Sequence, residues 1–185
     1  MKSAPNLVLI GPMGSGKSSI GRRLAERLAL PFVDADREIE RCTGAAIPLI
    51  FELEGEAGFR AREHETLARL CEGYGQVIAT GGGAVLHPDT RALLPQRGFV
   101  LYLAVELETQ LRRLSTDRSR PLLQHGDRRE VLQRIGEERA PIYAHLADLR
   151  YDTGRVGVRH AVEQILALLN QNWRMTQPTV LDTPA

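Results

Sequence analysis

Eight consecutive residues carry the clearest chemical signal in the chain. Gly11-Pro12-Met13-Gly14-Ser15-Gly16-Lys17-Ser18 follows the spacing G-x-x-x-x-G-K-[ST]. Glycines at these positions let the backbone curl so that successive N–H groups converge on phosphate oxygens. The helix opening near Lys17 adds the positive end of its dipole. Lys17 is placed to reach the β- and γ-phosphates and the Ser18 hydroxyl to ligate Mg²⁺. The competing explanation is a chance glycine-rich turn ahead of a helix. With a strand before the loop and a helix after it, a nucleoside triphosphate is the better reading. The dinucleotide pattern G-x-G-x-x-G does not fit, because two residues separate Gly11 from Gly14.

A phosphate loop alone does not separate a kinase from an ATPase or a nucleotide switch. Asp34-Ala35-Asp36 follows the second apolar run. If the backbone stays extended there, the two carboxylates project to one side. One can then help hold hydrated Mg²⁺ while the other takes a proton from an acceptor hydroxyl. Against this stand a helix N-cap for Asp36 and a solvated turn position for Asp34. Thr80-Gly81-Gly82-Gly83 ends the third apolar run, where glycines admit a ligand close to the backbone or merely make a flexible turn. In many phosphate-loop proteins this strand ends in a metal-supporting Asp. Ile78-Ala79-Thr80 offers none, which moves that role toward Asp34.

Three arginines stand out: Arg60, Arg120 and Arg139. Arg60 can pair with Glu56 or Glu63 along its own helix, and Arg139 can complement a helix end before Pro141. Arg120 sits in a polar stretch, residues 115–126, long enough to be a functional loop. From there a guanidinium can close over a γ-phosphate and neutralise charge that develops during transfer. His64-Glu65 begins an H-E-x-x-H zinc pattern, but Ala68 stands where the second His belongs, so His64 is expected to be solvated.

The elements that position these residues follow from periodicity. Short apolar runs at 7–10, 31–33, 76–79, 98–105 and 149–151 read as strands. Residues 17–30, 56–72, 106–114, 127–139 and 158–169 read as helices. Continuously apolar strands separated by helices imply an α/β fold with a parallel sheet covered on both faces. Beyond Asn170 the sequence QNWRMTQPTVLDTPA lacks periodicity, so the tail is expected to fray, with Trp173 as a candidate hydrophobic anchor.

Composition narrows the class. The chain has 185 residues, 43% of them hydrophobic and 25% charged, which suits one domain with one buried core. Lys and Arg number 24 against 23 Asp and Glu, which argues against disorder and against a generic nucleic-acid or anionic-membrane binder. No apolar run approaches membrane-spanning length, and the Leu7–Ile10 run is too short for a signal-peptide core. Cys42 and Cys71, the two cysteines, have no metal-ligand spacing and imply free thiols in a reducing cytoplasm.

Taken in order, GPMGSGKS, DAD, GFR, TGGG, RPLL and ERAPIY resemble the shikimate kinases over residues 6–169. The resemblance implies a nucleoside monophosphate kinase-like three-layer sandwich. It also implies a five-stranded parallel sheet in the order 2-3-1-4-5 and a mobile lid at about 113–127. One domain would span 1–170, with a substrate-binding helical region at 34–62 and a disordered tail at 171–185. The implied reaction moves the γ-phosphate of ATP to the 3-hydroxyl of shikimate, in aromatic amino-acid biosynthesis, with Mg²⁺ and in a cytoplasmic monomer. By motif, Lys17 and Ser18 are the ATP and Mg²⁺ residues, with Gly14, Ser15, Gly16 and Ser19 around the phosphates. Asp34 supports the metal and Asp36 binds and activates the acceptor hydroxyl. Arg60 and Arg139 clamp the shikimate carboxylate, with Gly82 contacting the same substrate through its backbone. Arg120 faces the phosphates from the lid, while Arg113 and the loop 152–157, with Arg155, hold the adenine. Two alternatives remain open at this point: a gluconate-type kinase of the same fold, and a regulatory nucleotide-binding module.

Overall fold

The run Asn6–Ile10 is buried at every position, and the fold is organised around it. A computed structural model describes residues 1–116, 126–154 and 156–176. In chain order the first elements are β1 (Lys2–Ala4), β2 (Asn6–Ile10), α1 (Lys17–Leu28), β3 (Phe32–Asp34), α2 (Ala35–Thr43) and α3 (Ile47–Glu72). They are followed by β4 (Val77–Ala79), a 3-10 turn (Ala84–Leu86), α4 (Pro88–Arg97), β5 (Gly98–Ala104) and α5 (Leu107–Leu114). The last are α6 (Arg128–Leu146), β6 (Leu149–Asp152), α7 (Val158–Asn172) and β7 (Trp173–Met175).

Side chains alternate across β2, and the alternation builds the layers. Leu7 and Leu9 pack with Ile20 and Leu24 of α1 and Ile165 and Leu169 of α7. Val8 and Ile10 face the other way, toward Leu67 of α3, Leu94 of α4 and Tyr143 of α6. The result is the expected α/β three-layer sandwich. Every pairing in the main sheet is parallel, in the order β3-β4-β2-β5-β6. The N-terminal strand β1, which the periodicity did not reveal, shifts the numbering by one. Those five strands counted alone run 2-3-1-4-5.

Several segments differ from expectation. α4 was not anticipated: its apolar pattern is interrupted by Pro95, and only Thr90 and Leu94 are buried. α3 starts at Ile47 and contains one non-helical residue, Gly55, at φ 68°. α6 does not stop before Pro141 but runs through it to Leu146. The tail is ordered further than composition suggests. α7 reaches Asn172, and Trp173–Met175 pairs in parallel with Lys2–Ala4. The lid segment overlaps residues outside the described set, which include Arg120.

Candidate active site

All five strands of the main sheet are parallel, so their carboxyl ends share one edge, and ligands of open α/β sheets bind there. The phosphate loop leaves β2 at this edge. Gly14 (φ 75°) and Gly16 (φ 93°) hold the left-handed conformation that a side chain would strain. Lys17, buried, curls back so that its Nζ donates to the carbonyls of Gly11 (2.7 Å) and Pro12 (2.9 Å). Ser15 Oγ, within the loop, is buried with no hydrogen-bond partner among the described residues. A cavity of about 170 Å³ is lined by Gly14, Gly16, Lys17, Ser18 and Ser19, with Thr80 and Leu114.

The two aspartates meet here by a different route from strand alternation. β3 ends at Asp34, and α2 begins at Ala35, so Asp34 occupies the N-cap position and Asp36 the first turn. Neither the extended pair nor the Asp36 cap is formed. Asp34 does not cap the helix through its side chain; instead its Oδ2 accepts from Ser18 Oγ at 2.6 Å. The acidic pair ends up in the wall common to two cavities.

The second cavity, about 530 Å³, lies between α2, α3 and the glycine loop after β4. Met13, Ser18, Asp34, Asp36 and Gly82 line both spaces. Phe51, Phe59, Ile47 and Pro48 give it an apolar floor, and Arg60 and Arg139 give it a cationic wall. The Phe59 and Phe51 rings pack tilted, centroids 4.6 Å apart and planes 34° from parallel, and the Arg60 guanidinium lies 5.2 Å from the Phe59 ring centroid. Arg60 does make the helix pairs the sequence allows, with Glu56 (3.0 Å) and Glu63 (2.6 Å), and still lines the cavity.

Arg139 is not at a helix end. It sits within α6, buried, with Nη1 donating to Gly82 O at 3.3 Å and Nε without a partner among the described residues. Tyr143 OH, one turn on, donates to the same Gly82 carbonyl. Burial pushes the Tyr143 phenol well above its ordinary range, so it remains a donor. Arg113 bridges the phosphate loop and the segment after β6, donating to Gly14 O (2.9 Å) and to Thr153 Oγ1 (3.1 Å) and O (2.7 Å). Partial burial lowers its proton affinity, and neighbouring Arg112 adds to that. Arg120 and Arg155 lie outside the described residues.

Sequence reasoning missed Glu63 as part of the site. Its carboxyl is 1% exposed, and among the described residues only Oε2 is bonded, to Arg60. Burial pushes it up to about 7; Arg60 opposes this, and Asp36 acts in the same direction as burial. A Cβ on Gly81 would overlap Glu63 Oε1 and lie 2.8 Å from Asp36 Oδ1, so both carboxyl groups crowd that glycine. The only signal available was the i,i+3 spacing to Arg60. His64 is not simply solvated either: it is half-buried and stacked on His87.

A phosphate loop, a second cavity across a carboxylate wall and this strand order define a P-loop kinase. The family model described as shikimate kinase matches residues 13–170. The shikimate kinase of Stenotrophomonas maltophilia is 54% identical over 174 residues, 94% of this chain and 97% of that protein. The chain belongs to the shikimate kinase family. The shikimate kinase of Xanthomonas axonopodis pv. citri is 51% identical over 95% of this chain and 98% of its own. Among solved structures, a shikimate kinase from Acinetobacter baumannii in complex with shikimate superposes with a TM-score of 0.88 at 45% identity, covering 91% of this chain and 94% of its own. A deoxyadenosine kinase from M. mycoides, at 15% identity and TM-score 0.59 over 89% and 99% of the two chains, shares the fold. Among the described residues no helix is long and apolar enough to cross a membrane.

Proposed function

We propose that this chain transfers the γ-phosphoryl group of ATP to the 3-hydroxyl of shikimate, giving ADP and shikimate 3-phosphate. The observation that carries the reading is the shared wall. A phosphate cradle and a cavity with an apolar floor and two arginines open onto the same Asp34–Asp36 pair. The shikimate bound to the Acinetobacter baumannii relative supports the acceptor.

In this reading the acceptor ring rests on Phe51 and Phe59, and its carboxylate takes the guanidinium forks of Arg60 and Arg139, a bidentate fit that a neutral sugar would not use. Gly82 presents its backbone to the same molecule. The 3-hydroxyl then points to Asp36, which accepts its proton as the oxygen bonds to the γ-phosphorus and the bond to the β-phosphate oxygen breaks. Lys17 releases its loop carbonyls to take the phosphates, with Ser15, Gly16, Ser18 and Ser19 around them. Arg113 and Thr153 form one side of the adenine site.

Ser18 Oγ and Asp34, 2.6 Å apart, are hard oxygen donors of the kind Mg²⁺ takes, and the ion supplies charge neutralisation on the phosphates. The protein's share is positioning and electrostatics, since phosphoryl transfer asks little covalent chemistry of it. Two cysteines outside any disulfide, Cys42 and Cys71, fit a reducing cytoplasm.

The test is coupled ADP release with shikimate, with gluconate and with no acceptor. Turnover is expected with shikimate and near background otherwise. Equal turnover with gluconate would reassign the acceptor, and release independent of acceptor would replace the kinase by a nucleotide-driven module.

A further inference from the structure

Away from the two cavities, the junction of α3 with the start of α4 gathers two imidazoles and a carboxylate. His64 on α3, His87 at the α4 N-cap and Asp89 in its first turn each bring a ligand atom within 4.8 Å of the others. The imidazole rings are stacked, with centroids 4.6 Å apart and planes 6° from parallel. Both histidines are half-buried and Asp89 is exposed.

Two details set this cluster apart from a chance surface pair. His64 Nδ1 lies 3.0 Å from Oγ1 of Thr90, a fully buried residue. With the ring N–H donated to that hydroxyl, Nε2 keeps its lone pair, the arrangement that orients histidines bound to metals. His87 Nδ1 is buried with no hydrogen-bond partner among the described residues. A buried imidazole nitrogen left unpaired is unfavourable, and a cation would satisfy it.

We propose that His64, His87 and Asp89 form a site for one divalent d-block cation of the zinc type. Two imidazoles and a carboxylate are the donor set of Zn²⁺, Ni²⁺ or Cu²⁺ and a poor one for Mg²⁺. Ligand atoms around a tetrahedral zinc lie about 3.3 Å apart, so the ion draws the rings out of their stack. The His87 ring, unanchored at Nδ1, makes that turn toward His64 Nε2. Water completes the fourth position. The ion would tie α3, which carries Arg60 and Glu63, to the segment that follows Gly81–Gly83.

The test is calorimetric titration of Zn²⁺ into the EDTA-treated full chain. A Cys42→Ser background removes the exposed thiol as a rival ligand, and millimolar Mg²⁺ competes for the oxygen donors at Ser18 and Asp34. One ion per chain is expected, bound at least about tenfold more weakly after His64→Gln or His87→Gln. Co²⁺ in its place should give the intense visible bands of a four-coordinate site. Asp89→Asn, on the surface, decides the matter if a histidine variant fails to fold. Weakened binding in it supports the site, and unchanged binding overturns it. Absence of uptake, uptake indifferent to both histidine substitutions, or uptake abolished by Asp34→Asn instead would each overturn the proposal.

Discussion

Arg60 Nη1 donates to Glu63 Oε2 across 2.6 Å, joining a cavity-lining guanidinium to a carboxyl that is itself 1% exposed. Burial dominates over the ion pair and holds Glu63 up near 7, above its ordinary 4.5. The folded protein therefore binds one proton more than the unfolded chain between those two values. The corresponding stability is complete below about 4.5 and is lost as the pH rises through about 7. Urea unfolding across that window should show the wild type losing on the order of 3 kcal/mol relative to Glu63→Gln. Parallel stability–pH curves for the two proteins would show that Glu63 does not hold the proton.

Asp36 is the acidic side chain in both cavity walls that is assigned to the acceptor hydroxyl. Asp36→Asn keeps the shape and removes the base. The expected result is a kcat at least about 10²-fold lower, with ATP binding little changed by equilibrium titration. A near-normal kcat would take the proton-accepting role away from Asp36.

Arg139 presents a buried Nε without a partner among the described residues and places Nη1 on Gly82 O at 3.3 Å. Replacement by Ala should raise the KM for shikimate by about 10²-fold, as expected when a charge-assisted pair in a desolvated site is lost. Lys should not restore it fully, because one ammonium cannot reproduce the fork. Steady-state kinetics in both substrates checks this, and a change confined to the KM for ATP would move Arg139 out of the acceptor cavity.

What the sequence made legible divides along physical lines. The phosphate loop could be read because each residue type answers a local demand: glycine for φ, lysine and serine for charge and hydroxyl. The layers could be read because β2 alternates between two apolar clusters. Asp34 and Asp36 were singled out as chemistry, but their route together, a strand ending as a helix begins, is a one-residue matter that composition does not encode. Glu63 was hidden by its ordinary helix spacing to Arg60, because burial is a property of the packed fold. Arg139 was placed at a helix end because of Pro141, yet α6 runs through that residue. Trp173 looked like part of a tail because its partner strand, Lys2–Ala4, lies about 170 residues away in the chain.

Gly83 stands against the acceptor arginine. A Cβ there would overlap the Arg60 guanidinium, which Glu56 and Glu63 already hold in place. Gly83→Ala is expected to raise the shikimate KM at least about tenfold while nucleotide affinity is unchanged. Gly136, within α6 and with no atom within 4 Å of an added Cβ, is the control. Gly136→Ala should leave kinetics alone and stabilise by up to about 1 kcal/mol. If the two variants behave alike in kinetics, the contact between Gly83 and Arg60 is not what positions the arginine.

Trp173 closes the fold at the opposite end of the chain from the phosphate loop. Its ring packs 6.2 Å from that of Phe99, its Nε1–H donates to Ala4 O at 3.0 Å, and the strand it begins pairs with Lys2–Ala4. Truncation to Ala removes a large buried ring and leaves the Ala4 carbonyl without that donor, a loss of about 3 kcal/mol. For a chain of this size that lowers the melting temperature by on the order of 10 °C. Trp173→Phe keeps most of the packing and gives up the hydrogen bond, so it should cost about 1 kcal/mol. Circular dichroism melts rank the three proteins, and kcat with both substrates saturating should be the same for all of them below the transition, because none of these contacts reaches the cavities. Equal melting temperatures for wild type and Trp173→Ala would mean that the β1–β7 pair rests on the fold without supporting it.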